Sequence, residues 1–203
     1  MRIYEDRNAP NPRRVRVFLA EKGIDDVEFV QVQLARLEHR TPEHLARNPL
    51  SWVPVLELDD GRTLGETVAI CRYFEYLRPE PRLMGGDGED QAFVEMWNRR
   101  MEFEIFWPIA MVFRHTHEFF KGKIPQVAEY GQVQREYAAT RMAWLNDELA
   151  DREFIAGERY SSADITALCG IDFGRVTGQR IAPEHSHLQR WCDRVSTRPS
   201  ASA

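Results

Sequence analysis

Trp52-Val53-Pro54-Val55-Leu56-Glu57-Leu58 alternates like a β-strand, and the proline inside it narrows most sharply what this chain can fold into. Proline has no N–H to give a hydrogen-bond ladder and is expelled from central strands. Kept here, it predicts a cis Val53–Pro54 bond at a strand entrance, with the neighbouring backbone polar groups turned outward. Asp59-Asp60-Gly61-Arg62 follows as a tight hairpin turn in which Gly61 is free to take positive φ. Glu66 and Thr67 then open the amphipathic run Val68–Leu77, so a helix N-terminus faces the same edge as the freed backbone.

The elements around this stretch follow from local signals. Residues 2–5 form a minimal strand. Asn11-Pro12 reads as an N-cap followed by proline at the first helical position, and Lys22-Gly23 ends that helix with a cation and a C′ glycine. Residues 27–32 give a second strand, and Thr41 caps a short helix that stops at Asn48-Pro49. The order β-α-β-α-β-β-α predicts a small mixed sheet with helices on its faces. Arg78-Pro79-Glu80-Pro81 and Gly85-Gly86-Asp87-Gly88 break the pattern, which places one domain at 1–79 and a second at 88–203.

No strand signal appears in the second domain. Residues 90–121 read as one long helix kinked at Pro108, and residues 126–150 as another. Ser161 and Asp164 form a capping box for an apolar helix through Ile165, Leu168, Cys169 and Ile171. A last helix carries Leu188, Trp191 and Val195.

Composition removes several function classes. A net charge of −5 and a pI near 5.7 argue against nucleic-acid binding, because no basic stripe exists to release phosphate counterions. No apolar run approaches the roughly 20 residues of a membrane span. The N-terminus turns acidic at once and lacks a secretory apolar segment. Cys71, Cys169 and Cys192 are odd in number and far apart, which favours a reducing cytoplasm over a disulfide framework. His115/His117 and His185/His187 sit two apart, a spacing that splays ligands on a helix, so no metal is expected.

A redox domain of this β-α order with a cis-proline carries Cys-x-x-Cys at the start of its first helix. Here Ala9-Pro10-Asn11-Pro12 stands in that place, so any sulfur chemistry must come from a bound thiol. With Arg13–Ile24, Asn48-Pro49, Val53-Pro54-Val55-Leu56, Glu66-Thr67 and Ser161-Ser162-Ala163-Asp164 in this order, the chain resembles the cytosolic glutathione S-transferases along essentially its whole length. The resemblance implies an α/β thioredoxin-like N-terminal domain, an all-α C-terminal domain and a homodimer formed through the third and fourth helices. It also implies glutathione as co-substrate and a small-molecule electrophile as its partner.

Carried onto these residues, the resemblance gives Val53 and Pro54 an open edge that pairs with the cysteinyl backbone of glutathione like an added strand. Glu66 accepts the γ-glutamyl ammonium, and the Thr67 hydroxyl and N–H receive the α-carboxylate. His39 and Arg40 lie where the family grips the glycyl carboxylate. Trp52 replaces the usual lysine or glutamine and either binds through its indole N–H or packs.

The activating hydroxyl of the family is missing, because its position is Ala9. Asn11, two residues on, resembles bacterial Nu-class-like members that use threonine or asparagine in this loop; it either activates the thiol or only caps its helix, with Tyr4 as the alternative. Phe106, Trp107 and Met111 are candidates for an apolar substrate pocket. The expected function is conjugation of the glutathione thiolate to an electrophile. Glutathione-dependent disulfide or peroxide reduction, or glutathione binding without turnover, are the alternatives.

Overall fold

A computed structural model describes residues Met1–Ala203. The chain divides into two compact units, Met1–Arg82 together with Ser202–Ala203, and Leu83–Ala201.

In the first unit β1 (Arg2–Glu5), α1 (Pro10–Glu21), β2 (Glu28–Gln31), α2 (Pro42–Arg47), β3 (Val55–Glu57), β4 (Thr63–Leu64) and α3 (Thr67–Leu77) follow one another. The strands lie in the order β2-β1-β3-β4, with β1 and β2 parallel and the other pairs antiparallel. Ile3 faces Leu56 across the sheet and both are fully buried. The next pair, Tyr4 and Val55, points to the other face, as the two-residue period requires, and packs with Val32 and Val53. Val15, Phe18, Leu19, Ile70 and Phe74 complete the core, and α1 packs on α3. Each such side chain taken out of water contributes about 1.5–3 kcal/mol.

Two cations tie α1 down. Arg16 pairs with Glu5 at 2.5 Å and donates to the Arg7 carbonyl at 2.9 Å, joining the helix to the end of β1. Burial pushes the Glu5 carboxyl above its ordinary range, and Arg16 opposes that shift. At the other end Gly23 takes φ +61° past the C-cap Lys22, as its place in the sequence predicts. The Lys22 ammonium is wholly buried, donates to the Pro79 carbonyl at 3.0 Å and the Pro81 carbonyl at 2.5 Å, and pairs with Glu75.

The start of α1 differs from the sequence expectation. Ala9 occupies the N-cap, Pro10 opens the helix, and Asn11 is its second residue. The Ala9 N–H bonds the Asp6 carbonyl at 2.9 Å, closing a turn after which the helix begins at Pro10 rather than at the expected Pro12. Asn11 therefore does not cap its helix.

The second unit contains α4 (Gly88–Arg100), α5 (Trp107–Thr116), α6 (Ala128–Glu148), α7 (Ser162–Gly174) and α8 (Ser186–Ser196). Instead of one helix over 90–121, a π-helical turn at Met101–Phe106 separates α4 from α5. Pro108 cannot donate and its ring would strike the carbonyl of Glu104, and the wider turn accommodates it. Phe106 and Met111 belong to the core of this unit, whereas Trp107 is exposed. The last turn of the π segment packs on α7 because residue 170 is glycine, where a Cβ would approach Phe106 to 3.1 Å.

Asp164 anchors α7 through the capping box that the sequence predicts. Its Oδ2 accepts from the Ser161 N–H at 2.9 Å and the Ser161 hydroxyl at 3.1 Å, while Oδ1 accepts from the Ile155 N–H at 2.9 Å and the Trp191 indole at 2.8 Å. Burial pushes this carboxyl upward, and the four donors pull it back. Four donors would be left without an acceptor in Asp164→Ala, so this variant should lose about 3 kcal/mol or more, read as a lower urea midpoint.

Candidate functional site

Three elements of the first unit meet at one edge of its sheet. Pro54 follows a cis peptide bond and stands just outside β3, so the ladder between β1 and β3 ends at Tyr4 and Val55. Neither the N–H nor the C=O of Val53 makes a hydrogen bond within the chain, although its side chain packs beside Tyr4 and Val55. A strand-like edge of two free backbone groups is thus held on a rigid base. Such an edge adds an extended peptide by main-chain pairing.

The loop leading to this edge is tied internally. Asn48 accepts from the Leu50 N–H at 3.1 Å through Oδ1 and donates through Nδ2 to the Trp52 carbonyl at 3.2 Å. His44 Nε2 lies 3.0 Å from the same carbonyl. The Ser51 hydroxyl donates to the His39 carbonyl at 2.7 Å, and Ser51 itself holds φ +61°. The Trp52 side chain points out and is half exposed.

Helix α3 supplies the second element. Glu66 is its N-cap with φ +65°, a conformation that costs a non-glycine residue on the order of 1 kcal/mol. Its carboxylate is exposed, has no ion-pair partner in the chain and does not cap the helix. The first paired N–H is that of Ile70, so the N–H groups of Thr67, Val68 and Ala69 remain free, together with the Thr67 hydroxyl. An anion is favoured there and an ammonium at Glu66. Gly65 brings this helix start next to the Asn48 side chain, 3.5 Å from where a Cβ would stand. The edge and the helix start therefore share one neighbourhood.

The third element is the start of α1, because Ala9 packs against the Tyr4–Val53–Val55 cluster. Pro10 and Pro12 have no N–H, so among the first three helical residues Asn11 alone offers a free backbone donor. The Asn11 Oδ1 accepts from Arg14 at 3.3 Å, which leaves its Nδ2 amide hydrogens free. Asp6 holds the preceding loop, accepting from the Asn8 N–H at 3.0 Å and the Leu34 N–H at 2.9 Å. Tyr4, by contrast, donates its hydroxyl to Glu57 at 3.2 Å beneath Arg47, and is engaged there.

Val53, Pro54, Glu66 and Thr67 thus gather at one place, with Asn11 at the adjoining helix start. His39 and Arg40 lie on the turn before α2, and the Arg40 guanidinium is exposed with no ion pair. Sequence reasoning missed the reach of Asn48 and His44 to the Trp52 carbonyl. Asn48 before Pro49 carries the signal of a polar turn, while nothing marks His44 as buried. No group of three or more His, Cys, Asp or Glu side chains is gathered to hold a metal, and no helix is long and apolar enough to cross a membrane.

Comparison with known proteins bears on this arrangement. Residues 9–77 match the family "Glutathione S-transferase, N-terminal domain", and residues 104–199 match "Glutathione S-transferase, C-terminal domain". The chain is 36% identical to Glutathione S-transferase 2 of Saccharomyces cerevisiae, over 98% of its own length and 87% of the relative's. Among solved structures, Gtt2 from Saccharomyces cerevisiae superposes with a TM-score of 0.95 at 36% identity, covering 100% of this chain and 99% of that one. A glutathione S-transferase domain-containing protein of Marinobacter aquaeolei also gives 0.95, at 40% identity, with 98% and 99% covered.

Proposed function

The chain belongs to the glutathione S-transferase family, and on that premise we propose that the edge at Val53 holds glutathione, with Asn11 stabilising its thiolate for attack on a small electrophile. The observation that carries the reading is the pair of free backbone groups at Val53 beside the uncapped start of α3. The cysteinyl backbone pairs with the Val53 N–H and C=O. The γ-glutamyl ammonium meets Glu66, and its α-carboxylate meets the Thr67 hydroxyl and the free N–H groups of α3. His39 and Arg40 take the glycyl carboxylate, and Trp52 flanks the tripeptide.

A free thiol ionises near pH 8.5, so at pH 7 it is mostly neutral. Two donors on Asn11, its N–H and its Nδ2, favour the charged sulfur and lower that value. The sulfur then forms a bond to an electrophilic carbon, the leaving group departs with the electron pair of the bond that breaks, and the thiol proton passes to water. Because Ala9 has no hydroxyl, the chain's own donors at this sulfur come from Asn11, a likeness to the Nu-class-like loop. The same donors suit attack on a disulfide, which makes glutathione-dependent reduction the second reading.

The family commonly forms dimers, and exposed Tyr76 and Leu77 on α3 and Phe93 on α4 support a homodimer here, testable by sedimentation.

Glu66→Ala removes a charge-assisted contact and should weaken glutathione binding by about 10- to 100-fold in calorimetry. Unchanged affinity would remove Glu66 from the site. Asn11→Ala should keep the affinity but raise the pKa of the bound thiol by about 1 unit. The sign follows from losing a donor to the charged form: thiolate absorbance and rate fall at neutral pH and recover at alkaline pH. A pH profile that does not move excludes Asn11 as the donor. Turnover of a mixed disulfide with no reaction of an activated aryl halide would assign reduction instead.

A further inference from the structure

The Trp52 carbonyl is the meeting point of two buried side chains. His44 is 2% exposed and Asn48 8%, and their Nε2 and Nδ2 atoms stand 3.0 and 3.2 Å from that one oxygen. A carbonyl oxygen only accepts, so His44 must carry its proton on Nε2, and both lone pairs of the oxygen are filled. The His44 Nδ1 atom is buried with no partner. A bare buried acceptor is unfavourable, and the hydrogen bond on the other ring nitrogen is made despite it.

The oxygen belongs to the same planar unit as the Val53 N–H. The Trp52–Val53 bond is not among the cis peptides of the chain, so this unit is trans and its N–H points opposite to its C=O. With the C=O drawn to α2 by two donors, the N–H must face away from α2. Asn48 reinforces the setting, because its N–H bonds the His44 carbonyl at 2.9 Å and its own carbonyl accepts the Ser51 N–H at 2.9 Å.

We propose that His44 and Asn48 are positioning residues for glutathione, a two-donor clamp on the Trp52 carbonyl that aims the Val53 N–H at the cysteinyl carbonyl of the bound tripeptide. The proposal rests on the reading of the Val53 edge as the glutathione site. Neither residue touches the ligand. Their effect is confined to affinity for glutathione, since the sulfur and the electrophile are served by other groups.

The test uses the full chain with glutathione itself as probe. His44→Phe keeps a flat ring of similar size and loses the donor, His44→Gln restores an amide N–H at the reach of Nε2, and Asn48→Asp keeps the acceptor for Leu50 while removing the donor. His44→Phe and Asn48→Asp should each weaken glutathione binding about five- to tenfold in calorimetry and raise its KM by the same factor. At saturating glutathione, kcat with an activated aryl halide and the KM for that halide should stay within about twofold, and His44→Gln should recover most of the affinity. Should His44→Phe fail to fold, Asn48→Asp and His44→Gln carry the comparison. The amide signal of Val53 in the nitrogen–proton spectrum separates the two levels of the argument. If it does not shift when glutathione is added to the wild type, the site reading itself fails. If it shifts equally, with equal affinity, in the wild type and in the donor-less variants, or if kcat and both KM values worsen together, the clamp is overturned and the edge stands without it.

Discussion

A peptide group that has lost its strand partner must be held, filled or hidden, and the N-terminal unit is arranged around one such group at Val53. Each backbone donor or acceptor left unmet away from water costs about 1–3 kcal/mol, so an open pair beside a proline persists only when the surroundings fix it. Below it lies the Tyr4–Val32–Val55 cluster. Beside it, two non-glycine residues, Ser51 and Glu66, accept left-handed backbone to bring the loop and the start of α3 to the same edge. Two strained residues beside free polar groups set this edge apart from the rest of the sheet.

How much of this could be read beforehand depends on whether the cause is local. Pro54 in an alternating run is a local contradiction, and it pointed to the edge directly. Gly23 and the Ser161/Asp164 box are equally local, and the structure has them where the sequence places them. Asn11 shows the limit, because the residue with the best capping chemistry lost to Ala9 when the Asp6 turn fixed where the helix begins. Its neighbours then changed its meaning, since prolines on both sides make it the sole free backbone donor among the first three helical residues. His44 lies beyond any such reading: its burial and its reach to Trp52 are tertiary facts, and a histidine on a short helix carries no mark of either.

The helical unit follows the same division. Aromatic and aliphatic spacing gave the helices but merged α4 with α5, because periodicity does not register one residue of slack. The π turn before Pro108 supplies that slack, and Gly170 lets α7 come close enough to pack on the turn. Of the apolar residues singled out there for a substrate pocket, Phe106 and Met111 are buried within the unit and Trp107 is exposed. The aromatic count of a helix does not say which rings face inward.

Lys22 offers a way to watch this molecule breathe. The chain has three lysines, Lys22, Lys121 and Lys123, and the first is sealed among the Pro79 and Pro81 carbonyls and Glu75. An amine-acylating reagent can reach it only when the segment leaving α3 lifts away from the end of α1. The slow appearance of label at Lys22, set against immediate label at an exposed amine, is therefore a clock for the opening of that strap, read without altering a single residue.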